Sequence, residues 1–144
     1  MIDIKATIIV NWLLSMVLAL LFYKNGIKKY QRIYSFYMSL ANYRFFKDGL
    51  PLRILSSVLI TSDLVIAILI LIPQYRSIAC ILGILIQSFF FLTMVFNYHK
   101  YFEYNCGCFV INTPHSIEFK SIAVNLLIML LFMSVLILTI KPAQ

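Results

Sequence analysis

A chain of 144 residues that is 62% hydrophobic and only 12% charged has too little polar side chain to cover a globule in water. Soluble domains carry about 25% charged residues, and a mean hydropathy of +0.95 makes lipid the natural solvent. The formal charge of +7 does not indicate nucleic acid, because the basic residues sit between apolar runs, where Lys and Arg flank membrane helices and meet anionic headgroups.

A hydrocarbon core of about 30 Å needs roughly 20 apolar residues in an α-helix. The first such run is 6–23, bounded by Lys24 and Gly26. It is longer than a signal-peptide core, and Phe22-Tyr23-Lys24-Asn25 is a poor cleavage site, so it reads as a retained span. From Gly26 to Phe46 the apolar residues Ile27, Tyr30, Tyr34, Tyr37, Met38, Ala41 and Phe45 recur at helical spacing. Lys28, Gln31, Arg32, Ser35, Ser39 and Asn42 fall between them. That pattern predicts an amphipathic helix over about 26–46 at the membrane interface; a short soluble hairpin packed over the bundle is the alternative. Further spans follow at about 54–72, 78–98 and 121–140, bounded by Pro51 and Arg53, Pro73 and Arg76, Lys120, and Lys141 and Pro142. A loop of about 99–119 separates the last two. The runs lack the alternation of a membrane barrel. The expectation is an all-α, integral membrane four-helix bundle, a single domain over 1–144, with one interfacial helix between the first two spans.

The sharpest local signal is Asn105-Cys106-Gly107-Cys108-Phe109 in that loop. A disulfide needs Cα atoms about 4.4–6.8 Å apart, within reach of residues i and i+2 in a bend that glycine permits. So small a ring is strained and therefore readily reduced, as suits thiol exchange. Two free thiols or a static disulfide are the plainer readings. His99 and His115 flank the pair symmetrically, but the spacing matches no common zinc module and we expect no metal. Cys80, inside the third span, reads as a small apolar residue.

Asp63 stands near the middle of the second span. A carboxylate at that depth faces the bundle interior and marks a functional site or interhelical glue. Its candidate partners are Asn11 and Ser15 of the first span, Gln87 of the third and Asn125 of the fourth. With Asp63, the residues Asn11, Gln87 and Asn125 form a candidate proton relay or polar site. No phosphate-binding loop, no Ser/His/Asp grouping and no paired carboxylates suited to hydrolysis occur.

The order of these features resembles the methylamine-utilisation MauE family, itself similar to DoxX-type four-helix membrane proteins. The likeness rests on Gly26-Ile27-Lys28-Lys29 after the first span, Ser39-Leu40-Ala41-Asn42-Tyr43-Arg44 and then Pro51 before the second, and Asp63 at the place of a membrane carboxylate. Asn97, the Cys106-Gly107-Cys108-Phe109 signature and Asn125-Leu126-Leu127 complete it. Val110 replaces the glycine after the signature, Asn11 an arginine in the first span and Val124 an arginine before Asn125. Both cysteines are in place.

The resemblance implies a membrane thiol–disulfide redox protein, a candidate oxidoreductase with Cys106 and Cys108 as its reactive pair. It would assist disulfide formation or maturation of a secreted client, alongside a thioredoxin-like protein. A non-catalytic membrane scaffold and a small-molecule carrier are the alternatives. Similarity of arrangement to DsbB and the vitamin K epoxide reductases names quinone as a candidate electron acceptor, by analogy of fold. The resemblance also implies a bacterial cytoplasmic (inner) membrane with the cysteine loop outside. Charge alone argues the reverse: Lys24, Lys28, Lys29, Arg32, Arg44, Lys47, Arg53, Lys100 and Lys120 share the loop side, against Lys5, Arg76 and Lys141 opposite. Disulfide formation needs an oxidising compartment, and on that ground we expect the loop outside.

Overall fold

The computed structural model describes residues 2–47, 49–103 and 115–140. Helix α1 runs Ile2–Gln31, α2 Ile33–Ala41, α3 Leu50–Leu69, α4 Arg76–Phe96 and α5 Phe119–Ile140. Two short strands, β1 (Tyr101–Phe102) and β2 (His115–Ser116), pair between α4 and α5. Four of the helices, α1, α3, α4 and α5, are long and apolar enough to cross a bilayer. They form a ring in which α1 packs on α3, α3 on α4, α4 on α5 and α5 back on α1. The protein is an integral membrane four-helix bundle.

One repeating pattern builds the ring. On α1 the buried residues include Asn11, Ser15, Leu18, Phe22, Asn25 and Lys29; on α3 they include Leu52, Ser56, Leu59, Asp63 and Ile66, continued by Ile70 just past its end. On α5 they are Ser121, Asn125, Ile128, Phe132 and Val135. Each series alternates steps of four and three, the period of about 3.5 residues with which helices pack at shallow angles. The opposite faces carry exposed apolar side chains such as Leu20, Ile68, Leu85 and Leu127. Water would not tolerate so wide an apolar surface, but lipid does.

The first helix departs from expectation. It does not stop at residue 23 but continues to Gln31, so the additional helix expected between the first two spans is present as α2 but shorter than 26–46. Lys24 points outward and does not end the helix, and Gly26 is a packing residue, not a cap. A Cβ at Gly26 would lie 2.8 Å from Leu64 Cδ2 and 3.4 Å from Asp63 Cβ, so the missing side chain lets α1 approach α3 closely. The helix breaks at Arg32 (φ −123°, ψ 44°) and resumes as α2. Phe36, Ser39 and Leu40 of α2 face the bundle, while Tyr30 and Tyr34 stay exposed. The second span starts earlier than its apolar run, at Leu50, because Pro51 fits the first turn, where its missing N–H costs no hydrogen bond. Within the expected 99–119 loop, the described ends form the two-strand pair.

Candidate functional site

At one end of the bundle the chain leaves α4 and returns to α5 through a closed stem. Tyr101 pairs with Ser116 and Phe102 with His115, antiparallel. Two more backbone bonds extend the pairing: His99 N–H donates to Ile117 O at 3.1 Å, and Ile117 N–H to Lys100 O at 3.1 Å. Phe102 and Ile117 are fully buried and join a core of Phe36, Leu40, Tyr43, Phe90 and Met94. The Phe102 ring lies 5.0 Å from that of Tyr43, and Phe46 lies 5.9 Å from Phe89. Asn97, buried at the end of α4, accepts a bond from Arg44 N–H at 3.3 Å and donates to Thr93 O at 2.8 Å. Lys100 Nζ donates to Asn42 O. These bonds tie the α2–α3 connection to the stem. Cys106 and Cys108 lie outside the described residues, in the stretch between Glu103 and His115 that this stem closes.

Deeper in the bundle lies a polar layer to which every spanning helix contributes. Lys29 Nζ of α1 stands 2.8 Å from Asp63 Oδ2 of α3, and Asn25 Nδ2 donates to the same oxygen at 3.0 Å. Both ions are shielded: Lys29 is 7% exposed and Asp63 1%. The ammonium also sits 4.9 Å from the Phe36 ring centroid and 4.8 Å from that of Phe90. Aromatic faces attract a desolvated cation by about 2 kcal/mol, so α2 and α4 stabilise the charge that α1 brings. Across the bundle, Asn125 Nδ2 of α5 donates to Gln87 Oε1 of α4 at 2.6 Å, leaving Gln87 Nε2 and Asn125 Oδ1 without protein partners. Below this layer the Phe22 and Phe132 rings meet edge to face at 5.1 Å over Gly83 and close the core.

The family described as Methylamine utilisation protein MauE matches residues 7–140. The chain belongs to the MauE family. Neither a curated protein nor a solved structure matches it.

For a MauE-family chain read from its sequence, the structure gathers some expected residues and separates others. Gln87 and Asn125 form one pair. Asp63 takes Lys29 and Asn25 as partners, not Asn11, Ser15, Gln87 or Asn125. Asn11 belongs to the far end, where its Nδ2 donates to Thr139 Oγ1 at 3.2 Å and its backbone oxygen accepts the Ser15 hydroxyl at 2.7 Å. The sequence reading missed Lys29 and Asn25. The available signal was their spacing: both continue the buried series Leu18, Phe22 at steps of three and four.

Proposed function

We propose that this MauE-family membrane protein exchanges thiols and disulfides with an extracytoplasmic client, using Cys106 and Cys108. The observation that carries the reading is the position of Cys106-Gly107-Cys108 between the two strands of a stem rooted in the core. Membership in a family described by methylamine utilisation places the protein with others of that role, and maturation of an exported client is the finer reading proposed here. A stem of this kind fixes where the two ends of the intervening stretch leave the bundle.

In the proposed exchange a client thiolate attacks one sulfur of the Cys106–Cys108 disulfide, breaking that bond and forming a mixed disulfide. A second client thiolate then attacks the mixed disulfide. The client leaves oxidised, and the cysteine pair has gained two electrons and two protons. The pair's thiolates then attack the disulfide of a thioredoxin-like protein, which restores the Cys106–Cys108 bond and leaves that partner as the dithiol, carrying the two electrons away. The Lys29–Asp63 pair, with its ammonium against the Phe36 and Phe90 rings, ties α1 to α3; a proton relay through Asp63 is a finer part of the same proposal.

The test is a membrane-impermeant maleimide applied to intact cells, with and without reductant, on the wild type and on Cys106→Ser and Cys108→Ser. The expected result is labelling only after reduction in the wild type, and mixed disulfides with secreted proteins trapped by one of the single variants. Retained function in the double Cys→Ser variant would instead leave a non-catalytic scaffold as the reading.

A further inference from the structure

The end of the bundle where α3 turns into α4 carries a buried cation with no counter-ion among the described residues. Arg76 is the first residue of α4 and is 4% exposed. Its Nε donates to Ile70 O at 3.1 Å, across the turn that joins α3 to α4, while its Nη2 is buried with no hydrogen-bond partner. The guanidinium carbon lies 4.7 Å from the Trp12 ring centroid. Among the described residues the one ion pair is Lys29–Asp63, so no described carboxylate balances this charge. Arginine stays protonated in proteins, and a shielded charge is costly unless it is paired.

The same turn presents a second anion-attracting feature. The 21-residue helix α4 follows Tyr75 at its N-cap position with no side-chain cap, so no side chain offers an acceptor to its first N–H groups at the positive end of the helix dipole. An uncapped helix start beside an unpaired guanidinium is a set of donors for one tetrahedral anion. Its position at the end of a membrane span puts it at headgroup depth. The Trp12 ring that stacks on the guanidinium is 41% exposed and lies on the lipid-facing side of α1. From these observations we propose that Arg76 and the first turn of α4 bind the phosphate of an anionic lipid headgroup, with Trp12 as the lid over the site.

Trp12 is the only tryptophan in the chain, so its fluorescence reports on this site alone. The protein is reconstituted in phosphatidylcholine vesicles containing dibrominated phosphatidylglycerol or dibrominated phosphatidylcholine, and quenching is compared. The expected result is an about fivefold preference for the brominated anionic lipid, the scale of one basic residue at an anionic surface. Arg76→Gln should abolish the preference and Arg76→Lys should keep part of it, because lysine retains the charge without the planar fork. Lys5→Gln, which removes an exposed cation from the same end, should leave it unchanged. If excess inorganic phosphate erases the preference, the phosphate group alone is the ligand; if it does not, the lipid headgroup is, and phosphate recognition stands either way. Equal quenching by both lipids in the wild type, or equal loss in Lys5→Gln and Arg76→Gln, overturns the proposal.

Discussion

Lys29 and Asp63, 34 residues apart in sequence, meet at 2.8 Å inside the bundle with their charges enclosed by Asn25, Phe36 and Phe90. The pair joins α1 to α3 one turn from the point where Gly26 lets those helices touch. Removing one partner leaves a buried ion with nothing to balance it, which costs about 3–5 kcal/mol, whereas replacing both by apolar residues is often neutral. Lys29→Met and Asp63→Leu should therefore each lower the melting temperature in detergent sharply, and the double variant should recover most of the loss. A double variant as unstable as the sum of the singles would show that the two residues do not act as a pair.

The contact between Gly83 and Phe132 yields a steric prediction. A Cβ on Gly83 would overlap the Phe132 ring, which is held in turn by the edge of Phe22. Overpacking of this kind costs about 1–3 kcal/mol. Gly83→Ala should destabilise the bundle by that amount in a denaturant titration, and adding Phe132→Leu should relieve part of it by freeing the space. No relief in the double variant would mean that the ring can already move aside.

The four spans were legible because crossing a bilayer requires length and apolarity, and both are local properties of sequence. What lies inside the bundle depends on which helices are neighbours, and composition does not reveal that. Lys24 and Gly26 looked like the end of the first span; in the structure Lys24 faces outward and Gly26 faces α3, so neither stops the helix. Lys29 consequently looked like a headgroup cation, although the series Asn11, Ser15, Leu18, Phe22 already pointed on to Asn25 and Lys29. The charge count shifts as a result, since Lys29 is neutralised by Asp63 and Arg76 is shielded at the other end. Asp63 was readable as a residue that needs a partner, but the identity of that partner was not. The cysteine pair was readable as a motif, whereas the stem beneath it depends on pairing between Tyr101–Phe102 and His115–Ser116, two pieces too short to announce themselves as strands.

His99 turns the chain from α4 into the stem with a φ of 64°. A left-handed backbone costs a side-chain-bearing residue about 1–2 kcal/mol and glycine much less. His99→Gly should be neutral to stabilising in a thermal melt. His99→Val, whose branched Cβ tolerates this conformation poorly, should be less stable by an amount on that scale. The opposite order would mean that the imidazole, whose ring lies 4.0 Å from that of Tyr98, contributes more than the backbone conformation costs.

The stem connects the fold to the proposed chemistry. Phe102 and Ile117 anchor it in the core, and the cysteine pair lies in the stretch between them. If exchange depends on where that pair is held, loosening the anchor should slow it even with both sulfurs present, since small displacements of reacting groups lower rates by up to about a hundredfold. Phe102→Ala removes a buried aromatic side chain and weakens its contact with Tyr43 without altering the four spanning helices. The expected result is slower mixed-disulfide formation with client, with helical content by circular dichroism and membrane insertion unchanged. Phe102→Leu, which keeps the site apolar, should fall between the two. An exchange rate in Phe102→Ala equal to that of the wild type would show that the stem does not position the thiols, and the reason for placing the chemistry at this end of the bundle would be lost.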